Sequence, residues 1–380
     1  MNNNFKSYYD LVSGALANFG YDSMQTFIDD NFAKRYDNAS WKTAFDWGIP
    51  KLGFTYTQLQ GTRLLAPKAT IIDFSSEKPL RAPAGFSLSS GKMPRMGHRV
   101  QFNEESFIQQ AQLMSNYAGA VPRWGDLYNL IVTDTSKLLQ GIHSQLNYMA
   151  FQIESTGLFT TTIDNNPDGP QGMQFDFQIP AANKKKVVKV WSDPTADPIG
   201  DLLTIYTNAI QAFIPVGVFR MNLATWNLFR LHPTVQKRVA IQLNPAMGAG
   251  NNTSFIATND MITMVLSGLN LPPIQIVDET SMVESYDPAT RLIKNTFIKA
   301  FADGVVVLRP AGKVGTVESS LPIILNEPGE TISTYEGGRI TLFQDVDSRH
   351  KVMEMIAEFT GIPVLSNPAY HILIDITTAA

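Results

Sequence analysis

Five histidines, His98, His143, His232, His350 and His371, are the side chains most suited to metal or proton chemistry. No two stand at helical ligand spacing, and none lies in an H-x-x-x-H or H-E-x-x-H pattern. Each therefore reads as a packing or surface residue. Cysteine is absent, which removes thiol nucleophiles, disulfides, iron–sulfur clusters and cysteine zinc sites together. Gly248-Ala249-Gly250 begins like a dinucleotide fingerprint. Thr253 stands where the third glycine belongs, however, and no apolar strand leads in. Gly312-Lys313 lacks the leading glycine and the following Ser or Thr of a phosphate loop, and no G-x-S-x-G elbow is present. The adjacent carboxylates Asp29-Asp30 and Glu104-Glu105 would diverge on a helix, and Asp345 with Asp347 lacks the spacing of a calcium loop. Lys184-Lys185-Lys186 reads as a solvated basic patch. No catalytic, cofactor-binding or metal residue is assigned, and no cofactor is expected. A chain of this size without such a constellation points to a structural or binding role.

The elements that would have positioned such groups are nonetheless abundant. The 380 residues suggest two or three folding units. Hydrophobics at 44% and aromatics at 10% can fill a sizeable core, which excludes wholesale disorder. Charged residues, at 17%, fall below the roughly 25% of an ordinary soluble domain, as in a protein whose surface is covered by partners. A net charge of −4 argues against an avid nucleic-acid binder but allows a loose neighbour of one. The opening Met-Asn-Asn-Asn-Phe-Lys has no basic stretch leading into an apolar core, so no export signal is expected. No apolar run approaches the ~18 residues of a membrane span, so no membrane partner is expected.

Net charge conceals an asymmetry. Residues 51–100 hold eight basic side chains (Lys51, Arg63, Lys68, Lys78, Arg81, Lys92, Arg95 and Arg99) against Asp73 and Glu77, a local +6. Residues 317–380 hold nine acidic side chains, among them Glu327, Glu330, Glu336, Asp345 and Asp347, against Arg339, Arg349 and Lys351, a local −6. In a self-assembling protein that complementarity would steer one copy onto the next. The basic side chains from Arg63 to Arg99 and those five acidic ones are accordingly candidate contacts between copies. In a monomer the same segments would be two solvated faces.

The basic segment is broken by Pro67, Pro79 and Pro83. Thr70 to Phe74 reads as a short strand and Phe86 to Ser89 alternates, together a two-stranded arm with no core of its own. Asn103, followed by Glu104 and Glu105, opens a helix that ends near Tyr117. A longer helix follows, capped at Asp126 and stopped at Gly157. Its stripe is Leu127, Leu130, Ile131, Leu138, Ile142, Leu146, Met149 and Ile153. A hairpin spans 158–179, and Lys186 to Trp191 continues as strand. Asp197 then caps a helix with Pro198 in its first turn. Beyond it lie strands over 216–221, 274–277 and 305–308, helices over 224–231 and 258–266, and further strands after Gly315. Mixed strands and helices describe an α+β fold.

The order of these pieces, with several degenerate motifs, resembles a known family. Met93-Pro94-Arg95-Met96-Gly97-His98-Arg99-Val100-Gln101-Phe102-Asn103-Glu104-Glu105 leads from arm to helix, and Tyr148 to Gly157 closes the long helix. Gly217-Val218-Phe219-Arg220-Met221-Asn222, Trp226, His232-Pro233-Thr234-Val235 and Ala302 to Pro310 follow, then Gly315. Over about residues 50–380 this is similar to the major capsid proteins of tailed bacteriophages, in the lambda-type branch of the Johnson fold shared with herpesvirus capsids and encapsulins. The resemblance implies an N-terminal arm (1–50), an extended hairpin loop over a neighbouring subunit (51–100) and a peripheral domain with a spine helix over 126–156 (101–194). It further implies an inserted axial domain (195–316) and return strands of the peripheral domain (317–380). It implies a non-enzymatic protein that assembles with itself as pentamers and hexamers into an icosahedral shell around double-stranded DNA, which it touches loosely. Portal and scaffolding or decoration proteins are expected partners, and a virion capsid assembled in host cytoplasm the expected location. The start at Met1 leads to the expectation of neither N-terminal cleavage nor a fused scaffolding segment. An encapsulin-type compartment, a soluble α+β enzyme, and a phage tail or decoration protein are the alternatives.

Overall fold

A computed structural model describes residues 8–32, 34–61, 86–102, 105, 108–109, 124–243, 256–287, 292–322, 331–347 and 352–379. The chain opens with two helices, α1 (Tyr8–Asn18) and α2 (Met24–Phe32). Val12, Ala15 and Leu16 on the first, and Met24, Phe27, Ile28 and Phe32 on the second, stand at helical spacing and are buried. A 3-10 turn, Ser40–Thr43, then sets Trp41 into the interior and leads to β1 (Phe45–Trp47). The expected N-terminal arm is therefore, from Val12 to Phe45, part of the larger hydrophobic core. Its apolar stripes are only three or four residues each, too short to stand out along the sequence.

β2 (Thr55–Gly61) and β3 (Phe86–Lys92) form an antiparallel ribbon, followed by β4 (Arg95–Phe102). The short strand expected at 70–74 lies outside the described residues. Of the helix expected from Asn103, only 105, 108 and 109 are described, and they are helical. The long helix α3 (Trp124–Thr156) has 33 residues, about 50 Å at 1.5 Å per residue. It starts two residues before the expected cap, so Asp126 lies inside the first turn, where its charge still suits the dipole. Gly157 ends it with φ +74°, a left-handed conformation open to glycine.

Next come β5 (Leu158–Thr160), β6 (Gln174–Asp176), β7 (Lys184–Val187), α4 (Pro198–Gln211), β8 (Val218–Met221), α5 (Leu223–Arg230), α6 (Pro233–Leu243) and α7 (Asn259–Gly268). Asp197, Asn222 and Thr258 cap α4, α5 and α7, each accepting a backbone N–H three residues on. β9 (Ile274–Ile276), β10 (Thr280–Asp287), β11 (Leu292–Lys299), β12 (Val305–Arg309), β13 (Gly315–Ser319), β14 (Thr331–Tyr335), β15 (Ile340–Asp347), β16 (Val352–Leu365) and β17 (Ile372–Ala379) complete the described chain.

Two sheets organise these elements. In the first, the order is β1-β13-β16-β15-β14, with β4 also paired to the fourteen-residue β16. Met353, Met355, Ala357 and Phe359 alternate inward from β16 beneath α3. The second sheet runs β7-β17-β12-β8-β9. One of its faces carries Val306, Leu308, Phe219, Ile372 and Ile374 into a core made with α4, α5, α6 and α7. The other face, with Val307 and Leu373, belongs to the larger core that contains α3. A boundary drawn at 316/317 does not follow the sheets, because β17 is an inner strand of the second one. The architecture is α+β, with the second sheet as a wall between two cores.

Candidate assembly surfaces and the joint between the cores

Alternation along β12 and β8 places Val307, Arg309 and Arg220 on the face toward α3. The two arginines meet Glu154, near the end of α3. Arg220 Nη1 lies 3.0 and 2.8 Å from the two Glu154 oxygens, and Arg309 Nε donates to Oε1 at 2.7 Å. All three residues are almost fully buried. Arg220 also donates to Thr43 Oγ1 at 3.3 Å and stacks 5.4 Å from the Phe151 ring centre. Arg309 Nη1 donates to the carbonyls of Pro310 and Gly312 at 2.9 and 2.6 Å. Burial pulls the Arg309 guanidinium below its ordinary pKa, opposed by the Glu154 carboxylate. The buried His371 imidazole is held down to about 3 by burial, reinforced by Arg309, so it stays neutral. Ser155 Oγ accepts from Ala302 N at 3.1 Å, and Gln152 Nε2 donates to Ala300 O at 2.9 Å. Helix and sheet are thus bonded together over several residues. None of this is catalytic geometry. It is a joint.

A second polar cluster fastens the N-terminal segment to α3. Trp41 Nε1 donates to His143 Nδ1 at 3.2 Å, and Trp41 N donates to Asn147 Oδ1 at 2.7 Å. His143 stacks on Tyr36, and burial, with Lys42 nearby, lowers its pKa to about 3. Glu336 accepts from Lys42 Nζ at 2.8 Å and from Trp47 Nε1 at 2.9 Å. This acid, expected as a contact between copies, is engaged inside the chain.

The charge complementarity between 51–100 and 317–380 is also used internally. Because β4 pairs with β16, Arg99 reaches the diagonal Glu354 at 2.9 Å and Arg95 reaches the diagonal Glu358. Lys51 pairs with Glu318. Lys92 is exposed at the root of the ribbon, and Asp345 is exposed on β15. Arg63, Lys68, Lys78, Arg81, Glu327 and Glu330, with the side chain of Asp347, lie outside the described residues. The sequence motifs had contained Glu154, Arg220 and Arg309 without a role. The available signal was a lone arginine in each of two buried-strand runs, which requires a partner once buried.

The β2–β3 ribbon runs in register from Thr55↔Lys92 to Gly61↔Phe86 and, among the described residues, pairs with no other strand. Its root is held by buried Tyr56 and by Gln58, whose Nε2 donates to Leu365 O at 3.0 Å. Ile49, Leu52 and Phe54, in the turn that enters it, are exposed. Among the described residues, no group of three or more His, Asp or Glu is placed to hold a metal ion.

No protein-family model matches this sequence, and no curated protein matches it. The fold is similar to several solved structures. One is a phage-related protein of Bordetella bronchiseptica RB50, with TM-score 0.49 and 14% identity, covering 93% of this chain and 98% of that one. The capsid of cyanophage P-SCSP1u gives TM-score 0.42 and 11% identity, over 88% and 86% of the two chains. The encapsulin complex of Synechococcus elongatus PCC 7942 gives 0.37 and 7%, over 88% and 86%. At such low identity and loose superposition, the geometry of this chain has to support its own reading.

Proposed function

We infer that this chain is a shell subunit, which assembles through rings of five and six copies into an icosahedral container for the double-stranded DNA of a tailed phage. The observation that carries this reading is the β2–β3 ribbon. Among the described residues its strands pair only with each other, its root is fixed to the body, and the sequence that joins them, residues 62–85, holds four basic side chains against two acidic ones. A ribbon of this kind is marginal in water and gains support by lying on another surface. A neighbouring copy supplies that surface, with Arg63, Lys68, Lys78 and Arg81 facing its acidic residues.

In this reading the second sheet with α4–α7 lies near the ring axes, and the first sheet with α3 forms the periphery. Portal, scaffolding or decoration proteins and loosely held DNA are the further partners, and assembly takes place in host cytoplasm. An encapsulin-type compartment remains the second reading, since it uses the same ring-forming logic with an enzyme inside.

The test exploits the paired ends Gly61 and Phe86. Replacing residues 62–85 by an Asn-Gly turn closes the ribbon with a two-residue hairpin. The expected product is a folded chain, with unchanged far-ultraviolet dichroism, that forms no shells by light scattering and negative stain. Shells of normal size from this variant would remove the arm as the contact that closes the shell, and a full-length chain that forms neither rings nor shells in the same assays would remove the shell reading itself.

A further inference from the structure

Between β9 and β12 the chain forms a second ribbon. β10 and β11 pair from Thr280↔Lys299 to Asp287↔Leu292 and, among the described residues, with no other strand. The foot rests on α3, where Ser281 Oγ lies 3.4 Å from Ser144 Oγ. Ser281 is buried, and Ile298, opposite it in register, packs against the larger core. Side chains alternate along a strand, so the next rung, Met282 and Phe297, points the other way. The same outward face continues through Glu284 and Asn295 to Ile293. Phe297 is 71% exposed, Ile293 67% and Met282 51%. An apolar outward face is the reverse of what a free hairpin needs in water.

We propose that this outward face of β10–β11 is a contact with a second copy of the chain. Eight residues per strand make a ribbon about 26 Å long, with a face on the order of 300 Å². A stable pairwise interface needs roughly 800 Å² per partner. The hairpin is therefore too small to hold a partner alone and too apolar to stay solvated. Both conditions are met by a small contact repeated around a closed ring. The chain also carries an unlike apolar surface to receive it: Ile49, Leu52 and Phe54, each more than half exposed, with Leu321 bonded to Lys51 beside them. Two unlike patches on one chain join head to tail, the geometry that closes rings. The identity of the partner as a second copy rests on the shell reading; the outward apolar face does not.

The absence of cysteine gives a clean probe. Asn295→Cys, exposed in the middle of the face, is coupled to a maleimide-benzophenone. Light- and heavy-nitrogen chains are mixed at high concentration, irradiated and peptide-mapped. The expected result is mixed-isotope cross-links, reduced about tenfold when Phe297→Asp is added, with the melting temperature within about 2 °C. Cross-links confined to single isotopes, or an unchanged yield with Phe297→Asp, overturn the contact. Negative-stain images of the same samples separate the failures. Rings without mixed cross-links remove the hairpin contact alone, mixed cross-links without rings remove the shell, and the absence of both removes both.

Discussion

Among the described residues Glu154 is the only carboxylate bonded to the buried Arg220 and Arg309, and Glu154→Gln keeps its shape while deleting its charge. Two guanidiniums would then be left without a counter-charge. Removing one partner of a buried ion pair costs about 3–5 kcal/mol. Unfolding entropy near 2.1 cal/mol/K per residue gives about 0.8 kcal/mol/K for a chain this long, so a loss of 4 kcal/mol lowers the melting temperature by about 5 °C. The drop would be about twice that if the region around the second core melts as its own unit. The companion variant replaces all three residues, Glu154→Leu, Arg220→Met and Arg309→Met, which removes every buried charge at once. Replacement of a whole buried cluster by apolar residues is often neutral or stabilising. The carbonyls of Pro310 and Gly312 lose a donor in it, so recovery of most of the loss, rather than a gain, is expected. Calorimetry and urea unfolding measure both variants. A Glu154→Gln chain within about 1 kcal/mol of the parent, or a triple variant worse than the single one, would refute the charge argument.

Acid should unfold the protein early. His143 and His371 are both lowered to about 3 against an ordinary 6.5, so the unfolded chain binds protons that the folded chain refuses. Their stabilisation is complete above pH 6.5 and is lost as pH falls toward 3, about 3 kcal/mol each by pH 4.5. His371→Phe should remove roughly half of that slope in urea titrations run from pH 7 to 4.5; an unchanged slope would mean that His371 already titrates normally. The Arg99–Glu354 pair, with the arginine side chain 64% exposed, should give a coupling of only about 0.2–1 kcal/mol in a double-mutant cycle, shrinking in high salt. A coupling several times larger would show the pair to be shielded from solvent.

What could be read from the sequence follows from how local each signal is. α3 was legible because its stripe repeats over 33 residues, and the Asp197 and Thr258 caps because side chain and first turn lie three residues apart. α1 and α2 were missed because each stripe is short. The β10–β11 hairpin was missed because its apolar residues face outward, so the pattern of Met282, Ile293 and Phe297 does not look like a core strand. Asp287-Pro288, a turn former between two alternating runs, was the available cue. The matched +6 and −6 segments were visible, but not the β4–β16 register that directs Arg95 and Arg99 to acids of their own chain. That pairing joins residues some 250 positions apart, and charge counts alone do not distinguish it from contact between copies.

The same nonlocality explains the joint and what it contributes. A sheet face of leucine and valine would bind α3 at lower desolvation cost than one that buries two guanidiniums. Stability alone is therefore a poor account of Arg220 and Arg309. Apolar surfaces slide with little penalty, whereas Glu154 fixes both arginines by directional bonds, and Thr43, Pro310 and Gly312 hold the arginines from behind. The consequence is angular. With α3 about 50 Å long, a rotation of 5° at the joint displaces its far end by about 4 Å, more than a hydrogen bond tolerates. If the chain builds a shell from small repeated contacts, as proposed, every copy must present its patches at the same relative positions, and a directional joint between the two cores would provide that where an apolar one would allow drift.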